Sequence, residues 1–226
     1  QYIRKDQSKV YLPVVEDRIF NLLSRYVNRG YLPMNVSQIM EQRVRAVKLG
    51  SRRLIERWWE NDFDSGDSVL YYPDKKVKIL YDSRSIQDLK PYSRINNDFL
   101  VLSKDVDIEQ ILGKEVLRED LNKDNMYLKQ KTVLSNPIWI VLARNDSLLE
   151  EYVKCVFGFD DFIKGMSLHF SGVDPVFRGE RNLRLYGIDS GSDIGENRIK
   201  FHNFKGRFVM IHRDELLLDS LFAFSI

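Results

Sequence analysis

Residues Ala46 to Trp59, AVKLGSRRLIERWW, hold the reading on which the fold turns. If Gly50 breaks a helix here, Arg52, Arg53 and Arg57 stand on the leading helix of a helix-turn-helix. In such a unit a small residue such as Ala46 lets the helices pack closely. A glycine four positions later makes the turn, and a basic second helix enters the major groove. If Gly50 is tolerated, the same arginines line the solvated side of one long helix. A glycine inside an exposed helix costs roughly 1 kcal/mol relative to alanine, too little to forbid that alternative.

Upstream, Pro13 opens a helix over Val14–Asn28 with apolar residues at helical spacing (Val15, Ile19, Leu22, Leu23, Tyr26) and Gly30 as its stop. Asn35 or Ser37 can cap the next helix, whose stripe Met40, Val44 and Val47 continues to Leu54, Ile55 and Trp58. Tandem Trp58-Trp59 is expected to supply a core anchor and a half-buried neighbour. Downstream, Asn61 to Asp67 ends the helical period. Ser68–Tyr72 and Val77–Tyr81 then read as a β-hairpin with Lys75 and Lys76 at its tip.

Further along, Phe99–Leu102 reads as a strand, Asp107–Leu112 as a short helix closed near Gly113, and Asn122–Lys131 as a loop. The continuous apolar run Ile138–Ala143 suits a buried strand, and Asp146 can cap a helix from Ser147 to Phe157. Leu183–Ile188, Arg198–His202 and Arg207–His212 read as strands, the last two joined as a hairpin through Asn203–Gly206. The expected fold class is α+β: an N-terminal helical, winged-helix-like unit followed by a mixed, largely antiparallel sheet domain. Ser, Asp, Pro and Asn concentrate near residues 85–95, which divides the chain into a basic unit, 1–90, and an α+β unit, 91–226.

A chain of 226 residues with 43% hydrophobic residues can bury a substantial core, which excludes general disorder. With 35 Lys and Arg against 33 Asp and Glu there is no strong overall field, so attraction to phosphate has to be local. Residues 1–60 carry twelve bases and six acids, a surplus of six, and the remainder of the chain is net acidic. No eighteen-residue apolar run occurs, and the expectation is a soluble, intracellular protein without membrane contact. Cys155, in an apolar-rich run, is expected as a buried free thiol rather than a nucleophile.

Catalytic signatures are sparse. His169, His202 and His212 do not form a metal-binding pair, and His212 with Asp214 or Glu215 is the one base-with-orienter arrangement. Asp64, Asp67, Asp74 and Lys76 have the residue types of a metal-dependent nuclease, although Asp74 falls at a turn. Asp189-Ser-Gly-Ser-Asp-Ile-Gly-Glu has the look of a calcium loop, but Lys200 stands where a bidentate glutamate is required, so an acidic hairpin turn is expected. Phosphate-binding, dinucleotide-binding and nucleophile-elbow motifs are missing, and no metal or cofactor is expected.

The 46–59 segment resembles the LG-x-S-R-R-x-x-x-R-W pattern of resolvase- and transposase-type helix-turn-helix units, with one residue fewer between Gly50 and Ser51. Gly66-Asp-Ser-Val, Phe99-Leu-Val-Leu-Ser and Ile108-Glu-Gln-Ile-Leu-Gly-Lys are similar to pieces of a bromo-adjacent homology domain, which would imply a chromatin interaction module. The helix-turn-helix reading implies duplex DNA as partner. Ser51, Arg52, Arg53 and Arg57 would then face the groove, while Arg43, Arg45, Lys48, Lys75 and Lys76 hold phosphates. The C-terminal unit would serve assembly or regulation, with a protein partner or self-association. Two alternatives remain: an assembly protein of a large complex such as a viral particle, and a nuclease or other nucleic-acid-processing enzyme.

Overall fold

Asn35 begins the ordered helical part by closing a capping box with Gln38, and this fixes where the first long helix starts. In the computed structural model, residues 25–82, 92–96, 99–102, 112–122, 126–159, 163–170, 175–197 and 207–212 are described. They run as β1 (Tyr31–Pro33), α1 (Val36–Lys48), α2 (Arg52–Trp59), β2 (Phe63–Tyr71) and β3 (Val77–Leu80). Next come β4 (Tyr92–Asn96), β5 (Phe99–Leu102), β6 (Gly113–Val116), α3 (Arg118–Asn122), α4 (Gln130–Leu134), α5 (Pro137–Ala143) and α6 (Asp146–Phe159). The last elements are β7 (Leu168–His169), β8 (Gly179–Leu185), a 3-10 turn (Ile188–Ser190), β9 (Ile194–Asn197), β10 (Arg207–Phe208) and β11 (Met210–His212).

Gly50 does break the helix. Its φ of +60° is left-handed, a conformation that a side chain disfavours, and α2 restarts two residues later. The two helices then bury one shared stripe. Met40, Val44 and Trp59 are fully or nearly buried, while Val47, Ile55 and Trp58 pack against the same core at partial burial. Burying each large aliphatic side chain stabilises the fold by about 1.5–3 kcal/mol.

The hairpin formed by β2 and β3 is present, with Val69 opposite Ile79, but it is not a free wing. All nine residues of β2 are buried. The strand is flanked by β3 on one side and β8 on the other, and β3 pairs in turn with β6. The sheet continues from β8 to β5 and β4, with β9 also on β8 and short parallel pairings of β10 with β2 and β7 with β9. Six of these eight pairings are antiparallel. The winged-helix expectation is thus corrected to a mixed fold with a curled, antiparallel-rich sheet. Strands from both sides of the expected 85–95 boundary share this sheet, so residues 1–90 and 91–226 are not separate sheets or layers.

One sheet face, carrying Val69, Tyr71, Val77, Ile79, Phe99 and Leu183, packs with the helices around Trp59, Trp139 and Tyr152. The described ends meet where β1 pairs antiparallel with β11, Leu32 opposite Ile211. The final segment Arg207–His212 accordingly pairs with β2 and β1, and the expected partner strand 198–202 lies outside the described residues. Residues 107–111 of the expected short helix and most of the expected first helix also lie outside them, leaving residues 25–27 as the visible helical turn of the latter.

Ile138–Ala143 is helical, not a strand. Pro137 sits in the first turn, and the Asn136 side chain accepts from the amides of Ile138 and Trp139, so the local chemistry starts a helix that is then buried on nearly every side. Arg144 ends it in the left-handed region at φ +61°. Its guanidinium donates to the buried Asp67 carboxylate at 2.5 Å and lies over the Tyr81 ring at 4.1 Å. Asp67 also accepts from the Val36 amide at 2.9 Å, placing a carboxylate at the positive end of α1. Burial pushes the Asp67 carboxyl up to about 6, against the pull of Arg144 and the Val36 amide.

The expected helix after Asp146 is present as α6, and the expected strand Phe99–Leu102 is β5. The span expected as a loop, Asn122–Lys131, is non-helical where described between its ends, 126–129, with α3 closing at Asn122 and α4 opening at Gln130. Cys155 is free and half-buried, and burial followed by the neighbouring Glu151 charge raises its thiol pKa.

Candidate functional site

Arg43 decides how the basic segment is used. It is fully buried, so its guanidinium cannot meet a phosphate. Instead it donates to the carbonyls of Trp58 and Asn61 at 2.9 Å each, to the Tyr152 hydroxyl at 2.8 Å and to Ser192 Oγ at 3.4 Å. The Trp59 and Phe63 rings lie 5.4 and 5.6 Å from it. Trp59 returns a hydrogen bond from Nε1 to the Arg43 carbonyl and stacks on Tyr152. One cation thereby ties α1 to the end of α2, to α6 and to the turn before β9. Buried charge is tolerated when its donors are satisfied in this way.

The other expected DNA contacts are scattered in their roles. The side chains of Arg45, Arg53 and Arg57 are exposed without a hydrogen bond or ion pair among the described residues. Lys48 pairs with Glu151 at 2.7 Å, and Arg52, 93% exposed at its side chain, pairs with Glu56 at 2.8 Å. Ser51 precedes α2 but its side chain makes no capping bond. Lys75 and Lys76 are exposed at the β2–β3 tip, where Lys76 pairs with Asp74 at 3.3 Å.

The carboxylates considered for metal-dependent cleavage are each engaged by a cation. Asp64 receives Arg184 at 2.8 Å, Asp67 receives Arg144, and Asp74 receives Lys76. Among the described residues, no group of three or more His, Cys, Asp or Glu side chains is placed to hold a metal. The same residues include no helix long and apolar enough to cross a membrane.

A groove of about 880 Å³ opens where the end of α2 and the end of α6 approach the β8–β9 connection. Its apolar wall is Phe159, Ile163 and Ile188, and its polar rim includes Glu60, Asp189 and Lys164. The acidic segment after Tyr186 is indeed a hairpin turn, joining β8 to β9 with Leu185 opposite Ile194. Within it Gly191 donates to the Ile188 carbonyl at 2.8 Å and Ser192 to the Gly187 carbonyl at 3.0 Å. A side chain on Gly165 would approach the Tyr127 backbone to 2.3 Å, so glycine is what lets this floor close.

Two non-glycine residues beside the groove adopt left-handed backbone, Tyr127 at φ +53° and Ser192 at φ +55°. Tyr127 is held by its amide, which donates to Ser167 Oγ at 3.0 Å, while the residue, which lines the groove, is 57% exposed. Asp193 accepts from the Ser167 amide at 2.6 Å and lies 2.9 Å from His169 Nε2. His169 also meets the Tyr186 ring edge-on. Glu60 and Asp189 differ from Asp193, because neither side chain has a hydrogen bond or ion pair among the described residues.

Sequence reasoning singled out Asp189 and Asp193 only as a turn, and it passed over Glu60, Tyr127 and Phe159. The available signal was a glycine-containing acidic turn in a chain whose opposite half is basic. Nothing local in the sequence indicates that Phe159 and Glu60 face that turn.

No family model matches the chain, and no curated protein matches it. Among solved structures, one of a nanoarchaeal protein, showing the accommodation of massive sequence variation by the C-type lectin fold, is similar to it with a TM-score of 0.57. The match covers 80% of this chain and 88% of that one at 11% identity, a likeness of fold alone. It overturns the winged-helix assignment on which the DNA-binding reading rested. The bromo-adjacent homology resemblance likewise finds no family match.

Proposed function

We propose that this chain is a ligand-recognition module built on a C-type lectin-like scaffold, and that the groove beside the β8–β9 turn is its binding site. The observation carrying this reading is the groove itself, whose volume falls in the range of roughly 300–1,000 Å³ common to small-ligand sites. It combines apolar residues, an exposed tyrosine and the carboxylates of Glu60 and Asp189, which make no hydrogen bond or ion pair among the described residues. Left-handed backbone at Tyr127 and Ser192 supports the reading, since such conformations cluster where a scaffold holds ligand-contacting groups.

Recognition fits better than catalysis. Among the described residues, the His169 ring is hydrogen-bonded to Asp193 and to no hydroxyl or thiol, so it is not paired with a nucleophile. The nanoarchaeal structure accommodates massive sequence variation on the same fold. That tolerance supports a scaffold whose surface side chains are free to set specificity.

The test is capture of ligands from peptide and glycan arrays by the wild type and by Ser190→Trp, which fills the groove from an exposed position. Ligands held by the wild type are expected to be lost from the folded variant. Equal retention by both proteins would place recognition elsewhere.

A further inference from the structure

Within that recognition reading, on which the following rests, we propose that the groove takes a basic side chain of a peptide: a cationic head on a hydrocarbon stem. Glu60 and Asp189 line the groove without a hydrogen bond or ion pair among the described residues, although the charge of Arg52 acts on Glu60, whereas Asp193 is already occupied by the Ser167 amide and His169. A guanidinium or ammonium group is the chemistry that satisfies two open carboxylates, and charge-assisted hydrogen bonds are about twice as strong as neutral ones. In the same lining, Phe159, Ile163 and Ile188 supply apolar surface suited to methylene groups. Tyr127 adds an exposed ring over which a cation is attracted.

The competing charge is Lys164, whose backbone carbonyl is capped by Lys129 Nζ at 2.6 Å. Lys164 in the lining, with Lys129 on its carbonyl, is outnumbered by Glu60, Asp189 and Asp193, which leaves the groove acidic. An anionic ligand would have to approach those three carboxylates, and a purely apolar ligand would leave Glu60 and Asp189 desolvated without compensation.

The basic corner of α1 and α2 offers no comparable site. Arg43 is buried, and the other cations are exposed, two of them engaged by Glu56 and Glu151. The groove joins a concave shape to a chemical preference, and the cation reading follows from both together.

The experiment titrates isotopically labelled protein with N-acetyl-arginine amide and, in parallel, its neutral isostere N-acetyl-citrulline amide. Amide shifts of Gly165, Ser190 and Gly191 report binding. The arginine probe is expected to move them with at least about tenfold higher affinity than citrulline. Glu60→Gln combined with Asp189→Asn is expected to abolish that preference, while unchanged thermal unfolding verifies that the variant folds. Equal binding of both probes in the groove would overturn the cation inference and leave the recognition site standing. Shifts confined to residues outside the groove would overturn both.

Discussion

The basic corner where α1 meets α2 and the acidic groove beside the β8–β9 turn carry opposite charge in opposite settings. At the corner, Leu49 is 61% exposed, and Arg45, Arg52, Arg53 and Arg57 are exposed while Arg43 is buried. In the groove, carboxylates share a concavity with aromatic and aliphatic walls. Exposed charges are weakly coupled and screened within about 8 Å at physiological salt. A ligand in a groove meets several groups at once and is partly withdrawn from water. Charge density along a sequence therefore says less about a binding site than whether the fold gathers the charges around a space.

Arg43 links the corner's helices to the turn beside the groove through Ser192, which makes its substitution the most severe way to break the comparison. Arg43→Met removes donors to two carbonyls and two hydroxyl oxygens in a buried setting. Destabilisation of about 3 kcal/mol or more is expected in chemical denaturation. A change near zero would mean that the arginine does not unite the helices with the turn.

Asp67 sharpens the contrast through pH. Its carboxyl titrates at about 6 in the folded protein against an ordinary 3.8, so between these values the folded state binds the proton more tightly. This contribution to stability is full below about 4 and is lost as pH rises through 6. Asp67→Asn should remove that slope from the pH dependence of the unfolding free energy. An unaltered slope would assign it to other groups.

Gly165→Ala tests the groove floor, because its new Cβ would fall 2.3 Å from the backbone of Tyr127. A loss of about 2 kcal/mol from overpacking is expected, read as a lower unfolding midpoint. The smallest effect belongs to the corner: Arg53→Ala with Arg57→Ala should leave that midpoint unchanged, since both side chains are exposed and without a polar partner among the described residues.

Much of the helical corner was legible. Spacing puts Met40 and Val44 on a buried stripe but continues it to Trp58, whereas Trp59 is the fully buried tryptophan; Gly50 supplies the residue type that left-handed backbone requires. The β2–β3 hairpin was also readable from its alternation and turn residues. What local patterns could not supply was the company each element keeps: β2 has the sequence of a hairpin arm but becomes a strand flanked by β3 and β8. Continuous apolarity in Ile138–Ala143 fits a buried strand and a buried helix alike, and Asn136-Pro137 was the local signal that distinguishes them. The groove was the least legible feature, because Glu60, Tyr127, Phe159 and Asp189 meet only after the chain folds.

The most direct test compares binding of acetyl-glycyl-arginyl-glycine amide, by calorimetry at one salt concentration, to two folded variants. Glu60→Gln with Asp189→Asn should weaken binding about tenfold or more, while Arg53→Ala with Arg57→Ala should match the wild type. Undiminished affinity in the carboxylate variant, or a loss confined to the arginine variant, would contradict the assignment of recognition to the groove.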